Sequence, residues 1–268
     1  IDEAIRNNVA VGGRRIALLD NFTWGNPEKP ERLGSLVRAC EACYDFATAF
    51  KTPFISGKDS LYNESPLGPV TPTLLITALG IVPDIRSAVS MDVKEPNNPI
   101  YIVGQTFNEL GGSEYYKLKG FIGKSVPRVR PSQARKMFKA ITRAIDLGLV
   151  KACHDLSEGG LAVAAAEMAF AGGYGMELHL QKVPKKNVNR NDFILFSESN
   201  SRFMVEVSQK AKKEFETLMK GRVYAEIGRV TKTPRLCVYG LTGESVVDAS
   251  LTDLLASWKR TLSVGVKP

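Results

Sequence analysis

Histidine and cysteine are scarce in this chain. There are two histidines, His154 and His179, and four cysteines, Cys40, Cys43, Cys153 and Cys237, among 268 residues. Four thiols without a second C-x-x-C pair suggest no disulfide framework, and Cys40-x-x-Cys43 has no well-spaced histidine to complete a zinc site. No third group is visible to orient a histidine for acid–base work, so a Ser/His/Asp triad is not expected. A Walker phosphate loop is lacking too, because Thr52 stands five residues before Gly57. No apolar run has membrane-spanning length and no signal peptide opens the chain, so a reducing cytoplasm is the expected setting and a membrane is not an expected partner. The first residues are Ile1-Asp2-Glu3, without methionine, as in a fragment or a processed product. Repeats and low-complexity stretches are missing as well.

What is present is an ordinary globular composition, 44% hydrophobic and 24% charged. The length suits one large or two modest domains. The 36 basic and 28 acidic residues leave a net charge of +8, which favours anionic partners. Lys117, Lys124, Arg128, Arg130, Lys185 and Lys186 are dispersed and not interleaved with aromatic motifs. Small phosphates are therefore expected as partners, and nucleic acid is not.

In chain order, Glu3 to Gly13 has helical spacing and ends at a glycine pair. Glu3 and Asn7 lie one turn apart, where two oxygen donors can share a hard cation or simply face solvent. Ile16–Leu19 reads as a short strand ending at Asp20, a ligand position or a turn-initiating residue. A long helix follows from Pro30 to Lys51, with Leu33, Leu36, Val37, Cys40, Cys43, Tyr44 and Ala47 as its inward stripe, which would bury both cysteines. It delivers the loop Phe54-Ile55-Ser56-Gly57-Lys58-Asp59-Ser60, where a glycine, a cation, a carboxylate and hydroxyls suit an oxyanion or an ordinary surface turn. Thr73–Val82 is a strong strand, and Asp92–Pro99 marks a domain boundary.

Beyond it come a strand Ile100–Gly104, a glycine-bearing loop Thr106–Tyr115, and a helix Ser132–Leu147 capped by Ser132. Cys153–Gly160 joins a strand to the helix Leu161–Phe170 through a polar, glycine-led turn that suits an anion or a metal phosphate. His154 reads as a structural, hydrogen-bonding residue and His179 as a strand residue. Phe193–Phe196 and Arg202–Val207 read as the two strands of a hairpin around Ser197–Ser201, whose tip is functional or merely hydrophilic. A helix (Ala211–Lys220) and strands near Ala225–Val230 and Leu236–Val238 complete an α+β pattern.

Four stretches stand in the order found in formylglycinamide ribonucleotide amidotransferase, also called phosphoribosylformylglycinamidine synthase. They are Asp20-Asn21 with Trp24–Glu31, Ser56–Glu64, Asn108–Tyr115 and His154–Leu161. The chain resembles the second half of that family's synthetase portion. This resemblance implies an α+β fold like that of aminoimidazole ribonucleotide synthetase, a two-domain unit. Residues 1–96 would be the later part of a barrel-forming α/β domain, and residues 97–268 an α+β domain. The rest of the synthetase, with the family's catalytic histidine, would lie outside the chain, which alone would be inactive.

The resemblance also implies an ATP-dependent carbon–nitrogen ligase of purine biosynthesis. The formamide oxygen of formylglycinamide ribonucleotide is activated as an iminophosphate, and glutamine-derived ammonia displaces phosphate. By motif, Asp20, Gly57, Lys58 and Ser157 would contact nucleotide, Ser60 would approach substrate, and Glu3, Asn7 and Asp155 would hold Mg2+ with a second, auxiliary ATP or ADP. Lys58 replaces an asparagine metal contact of the small bacterial forms, and a protonated lysine meets phosphate directly. The implied partners are the N-terminal half of the synthetase and a glutaminase; a homodimer is compatible with the resemblance. Other readings are a related ATP-using enzyme, such as aminoimidazole ribonucleotide synthetase or a selenophosphate or thiamine-phosphate kinase, and a noncatalytic nucleotide-binding or assembly module.

Overall fold

The computed structural model describes residues 1–260, so the last eight residues of the second predicted domain lie outside the described residues. The chain opens with α1 (Asp2–Ala10), β1 (Arg14–Thr23), α2 (Pro30–Phe50), β2 (Phe54–Ser60), the two-residue strands β3 (Glu64–Ser65) and β4 (Gly68–Pro69), and β5 (Thr73–Ile81). Strands β2, β1 and β5 form one sheet in that order, β1 parallel to β2 and antiparallel to β5.

Two expectations change here. Asp20 lies inside β1 and not at its end, because Asn21, Phe22 and Thr23 continue to pair with strands on both sides. The expected phosphate loop Phe54–Ser60 is likewise a strand, an edge strand whose residues 55–59 are exposed.

Helices α1 and α2 cover one face of this sheet, while Leu75, Leu79 and Ile81 of β5 are exposed on the other. Helix α2 begins with Pro30 in its first turn and ends at Lys51 in the left-handed region. Its buried line runs through Leu36, Ala39, Cys43, Phe46, Ala47 and Phe50. Of the expected stripe Leu36, Cys43 and Ala47 are covered, while Leu33, Val37, Tyr44 and Cys40 are exposed, so the buried line is rotated toward Ala39, Phe46 and Phe50. Packing against Phe22, Trp24 and Ile76 sets that rotation.

The remainder builds β6 (Pro99–Val103), β7 (Thr106–Phe107), α3 (Glu114–Leu118), α4 (Pro131–Asp146), β8 (Val150–Asp155), α5 (Gly160–Gly172) and β9 (Gly175–His179). It continues with β10 (Lys185–Lys186), α6 (Asn191–Phe196), β11 (Phe203–Val207), α7 (Lys212–Met219), β12 (Tyr224–Thr231), β13 (Arg235–Tyr239), β14 (Ser245–Ser250) and α8 (Leu251–Arg260). Seven strands form one sheet in the order β14-β13-β9-β12-β6-β11-β8, antiparallel except between β13 and β9.

Its central strands β6 and β11 are buried on both faces, so they read as near-continuous apolar runs. Ile100, Ile102 and Met204 face α5 and α6. Tyr101, Val103, Phe203 and Val205 face α1, α4 and α7 in a second core that also takes Leu18 from β1 and Phe50 from α2. The stretch Asp92–Pro99 is pinned between these layers: Val93 is buried, and the Lys94 and Glu95 amides donate to buried Glu206.

Two further expectations are corrected. Helix α4 starts at Pro131 with Arg130 at its cap, so Ser132 is a first-turn residue. The run Phe193–Phe196 lies in a short helix, α6, packed on α5, because a four-residue apolar run fits either period. No hairpin forms, and Ser197, Ser199, Ser201 and Arg202 are buried, with Glu198 and Asn200 between them partly exposed.

Candidate functional site

The first turns of α1 meet the end of β8 and the turn after it. Arg6, only 1% exposed, organises the meeting. Its guanidinium donates to Asp2, to Asn200 Oδ1 at 3.1 Å, to the Leu156 carbonyl at 3.3 Å and to Ser157 Oγ at 2.9 Å. Its Nε lies 3.8 Å from Asp155 Oδ2. Asp2 in turn accepts from the Ser201 amide at 3.0 Å and from the Ser201 hydroxyl. The Ser157 hydroxyl donates to Asp155. The Asn7 amide, with its nitrogen turned toward Asp155, donates to Oδ1 at 2.8 Å and to Oδ2 at 2.9 Å. Residues 3, 7, 155 and 157, distant in sequence, thus share one place in the fold.

The electrostatics follow from that crowding. Burial pushes the Glu3 carboxyl up, as do the charges of Glu158 and Asp155, against an opposing pull from Arg6. Burial also works against Asp155, but hydrogen bonds from His154 and Ser157 and the charge of Arg6 hold it below its ordinary range. His154 bridges two carboxylates, Glu167 at 2.8 Å and Asp155 at 3.3 Å. Burial disfavours its imidazolium, yet the two hydrogen bonds outweigh that and lift it to about 9. It is the hydrogen-bonding histidine expected from the sequence.

The head of α5 differs from expectation. Gly159 and Gly160 take the left-handed region, and a Cβ on Gly160 would lie 2.4 Å from the Ser197 carbonyl oxygen. The Gly159 amide donates to Glu198 Oε1 at 2.9 Å, as does the Glu114 amide at 3.0 Å. This helix start therefore already faces an anion of its own chain.

Behind it, Arg202 is fully buried and ties segment 197–202 to itself. It donates to the carbonyls of Ser199 at 2.8 Å and Ser197 at 2.5 Å, and to Thr106 Oγ1 at 3.0 Å. Burial and the nearby Arg6 push its guanidinium down to about 9.

The second group lies on β1 and β2. Asp20 pairs in register with Gly57, and a Cβ there would sit 2.4 Å from Asp20 Oδ1. Both face the side covered by α2, where Phe22 and Cys43 are buried. Asn21 pairs with Lys58 and Thr23 with Ser60, so Lys58 and Ser60 belong to the opposite, open face. Asn21 Oδ1 is buried there without a hydrogen-bond partner, and no carboxylate among the described residues pairs with Lys58.

Among the described residues, no group of three or more His, Cys, Asp or Glu side chains is placed to hold a metal ion. The trio Glu3, Asn7 and Asp155 offers two carboxylates and an amide. That set fits Mg2+ only as one shared with phosphate and water oxygens. Sequence reading missed Asp2, Arg6 and Glu198. Asp2 and Arg6 repeat the four-residue spacing of Glu3 and Asn7, but that spacing does not show that they are buried.

Family models for AIR synthase related protein match the chain twice, the N-terminal domain over residues 1–82 and the C-terminal domain over residues 95–240. The phosphoribosylformylglycinamidine synthase subunit PurL of Thermococcus sibiricus is 34% identical over 264 residues, covering 98% of this chain and 36% of that protein. The PurL subunit of Methanothrix thermoacetophila is 38% identical over 227 residues, covering 81% and 29%. The chain thus spans about a third of the length of these curated relatives.

Among solved structures, Thermotoga maritima PurL complexed with FGAR superimposes with a TM-score of 0.75 at 20% identity, covering 94% of this chain and 41% of that one. The same protein complexed with ATP gives 0.71 at 19% identity, covering 94% and 41%. The PurLQS assembly gives 0.75 at 21% identity, covering 93% and 40%. These likenesses establish the fold, an α+β unit of the AIR synthase type.

Proposed function

The chain belongs to the AIR synthase related family, and from that membership we propose that it is a nucleotide-binding part of a phosphoribosylformylglycinamidine synthase. The whole enzyme would convert formylglycinamide ribonucleotide and glutamine-derived ammonia into the amidine. The formamide oxygen attacks the terminal phosphorus of ATP and ADP leaves. Ammonia then adds to the activated carbon, and phosphate departs with the former formamide oxygen. Such chemistry rests on positioning and charge neutralisation more than on covalent participation by the protein.

One observation carries the reading: Asn7, Asp155 and Ser157 converge around Arg6, with Glu3 close enough to feel the Asp155 charge, although about 150 residues separate the helix from the turn. In this reading Glu3, Asn7 and Asp155 hold Mg2+, which supplies charge neutralisation to nucleotide phosphates. Ser157, oriented by Arg6 and Asp155, donates to the same nucleotide. On the first sheet, Asp20 and Gly57 contact nucleotide from the covered face. Lys58 meets phosphate and Ser60 approaches substrate from the open face. The partners would be the remaining half of the synthetase and a glutaminase, and the residues 1–96 and 97–268 would act as two domains of one unit.

The test is reconstitution. Amidine formation from ATP, ammonia and formylglycinamide ribonucleotide should be absent with this chain alone and appear when the remaining synthetase half is supplied. Calorimetry should show Mg2+-dependent ADP binding to the chain by itself, lost in Asp155→Asn. Turnover by the lone chain, or none on reconstitution, overturns the reading.

A further inference from the structure

The C-terminal end of α1 borders a cavity of about 810 Å3 that none of the residues assigned above lines. Its volume lies within the range of small-molecule pockets. Its walls come from the α1–β1 junction, the end of α2 with the following turn, and one side of α4. The floor is apolar and includes Phe50 stacked on Phe138, with centroids 5.9 Å apart and planes 14° apart. The rim carries Arg14, Arg15, Lys51, Arg135, Lys136 and Lys139, and no carboxylate lines the cavity.

Most of these cations are uncompensated. Arg14 pairs with Asp146, whereas among the described residues the other five have no ion pair. The backbone helps to gather them. Arg15 takes the left-handed region at a bulge, where Arg15 and Ile16 of β1 stand opposite the single residue Gly80 of β5. Lys51 is left-handed at the end of α2. A non-glycine residue held there is strained, and two such residues at one cavity are both cationic.

The observation that points to a ligand is Thr52. It lines the cavity and is 8% exposed, yet its hydroxyl has no hydrogen-bond partner. A buried hydroxyl is normally paired, because leaving it unpaired is costly. Five unpaired cations, a buried unsatisfied hydroxyl and an aromatic floor complement a molecule with an anionic end and a flat or apolar body.

We propose that this cavity is a second ligand site, for a small phosphorylated molecule. Its phosphate meets Arg15, Lys51, Arg135 and Lys139, its body lies on Phe50 and Phe138, and one polar atom completes Thr52. A small ligand is favoured over an acidic polypeptide because the cavity has the volume of a small-molecule pocket.

Calorimetry on the chain in EDTA, which silences the Mg2+-dependent site, separates the two. Titrants are AMP, pyrophosphate and orthophosphate. AMP should bind saturably, one per chain, and more tightly than orthophosphate, which lacks the apolar body. The pair Arg135→Glu with Lys139→Glu, both exposed, should weaken AMP roughly tenfold or more while leaving the thermal midpoint unchanged. Thr52→Val should weaken it several-fold, and Asp155→Asn should leave it unchanged.

Equal loss in Asp155→Asn, or full affinity in the charge-reversed pair, overturns the proposal. So does binding of polyaspartate or heparin with none of AMP, which would give the cavity to a macromolecule. If Thr52→Val fails to fold, the exposed pair decides alone.

Discussion

Arg6 donates to Ser157 Oγ at 2.9 Å, and through that bond the first helix of the chain is joined to the turn that ends β8. The same guanidinium satisfies the carboxylate of Asp2, which is 2% exposed. Removing it therefore leaves a buried carboxylate and the Leu156 carbonyl without their cation. Arg6→Leu is expected to cost about 3–5 kcal/mol of stability in chemical denaturation. A loss below 1 kcal/mol would mean that Asp2 reaches solvent or another partner.

Gly57→Ala would put a methyl 2.4 Å from the Asp20 carboxylate, so that side chain has to turn away for the variant to fold. A cost of about 1–3 kcal/mol is expected for such overpacking. Asp20→Ala in the same chain should restore most of it. A double-mutant cycle measures the coupling, and strictly additive effects would place the strain elsewhere.

His154 makes stability depend on pH. Its folded value is raised to about 9 from an ordinary 6.5, so its contribution is complete below about 6.5 and is lost as pH rises through about 9. The shift corresponds to about 3 kcal/mol between those limits. Denaturant melts in EDTA should show this decline in the native chain and not in His154→Gln. A native curve as flat as that of the variant would detach the imidazole from Glu167 and Asp155.

Lys58→Ala leaves the fold intact in expectation, because the side chain is on an exposed edge strand. If Lys58 meets phosphate, ATP-dependent turnover of the reconstituted enzyme should fall by an amount worth about 1–3 kcal/mol. Steady-state kinetics with native and variant chains settle it. Unchanged turnover would make the lysine a solvent-facing residue only.

The sequence was most legible where a pattern is long. The helices Pro30–Phe50 and Pro131–Asp146 and the strand Thr73–Ile81 were readable from periodicity or sustained apolar character, with ends shifted by a residue or so. It was least legible where pairing over distance decides. Nothing local says that Gly57-Lys58-Asp59-Ser60 pairs with residues 20–23 as a strand. Nothing local shows that the serines at 197, 199 and 201 are interior, since the Ser197 and Ser199 hydroxyls are satisfied by the distant backbone of Phe107 and Glu109 and the Ser201 hydroxyl by Asp2.

The same holds for the candidate site. Glu3, Asn7, Asp155 and Ser157 were suggested by motif, but Arg6 reads as an ordinary helix surface residue until β8 is packed against α1. The Cys40 and Cys43 pair shows the limit of spacing alone. A helical stripe gives the period, while the neighbour's shape decides that Cys43 is covered and Cys40 is not.

The alternation along β2 also constrains how this region can change. Gly57, which faces Asp20, is separated from Lys58 and Ser60 only by odd and even positions in β2. A single-residue insertion between Phe54 and Gly57 that kept the outer pairing would carry the lysine under α2 and turn the glycine outward. Substitutions can alter either face by itself, but an insertion or deletion here exchanges both together. The number of residues in this strand is thus as constrained as their identity.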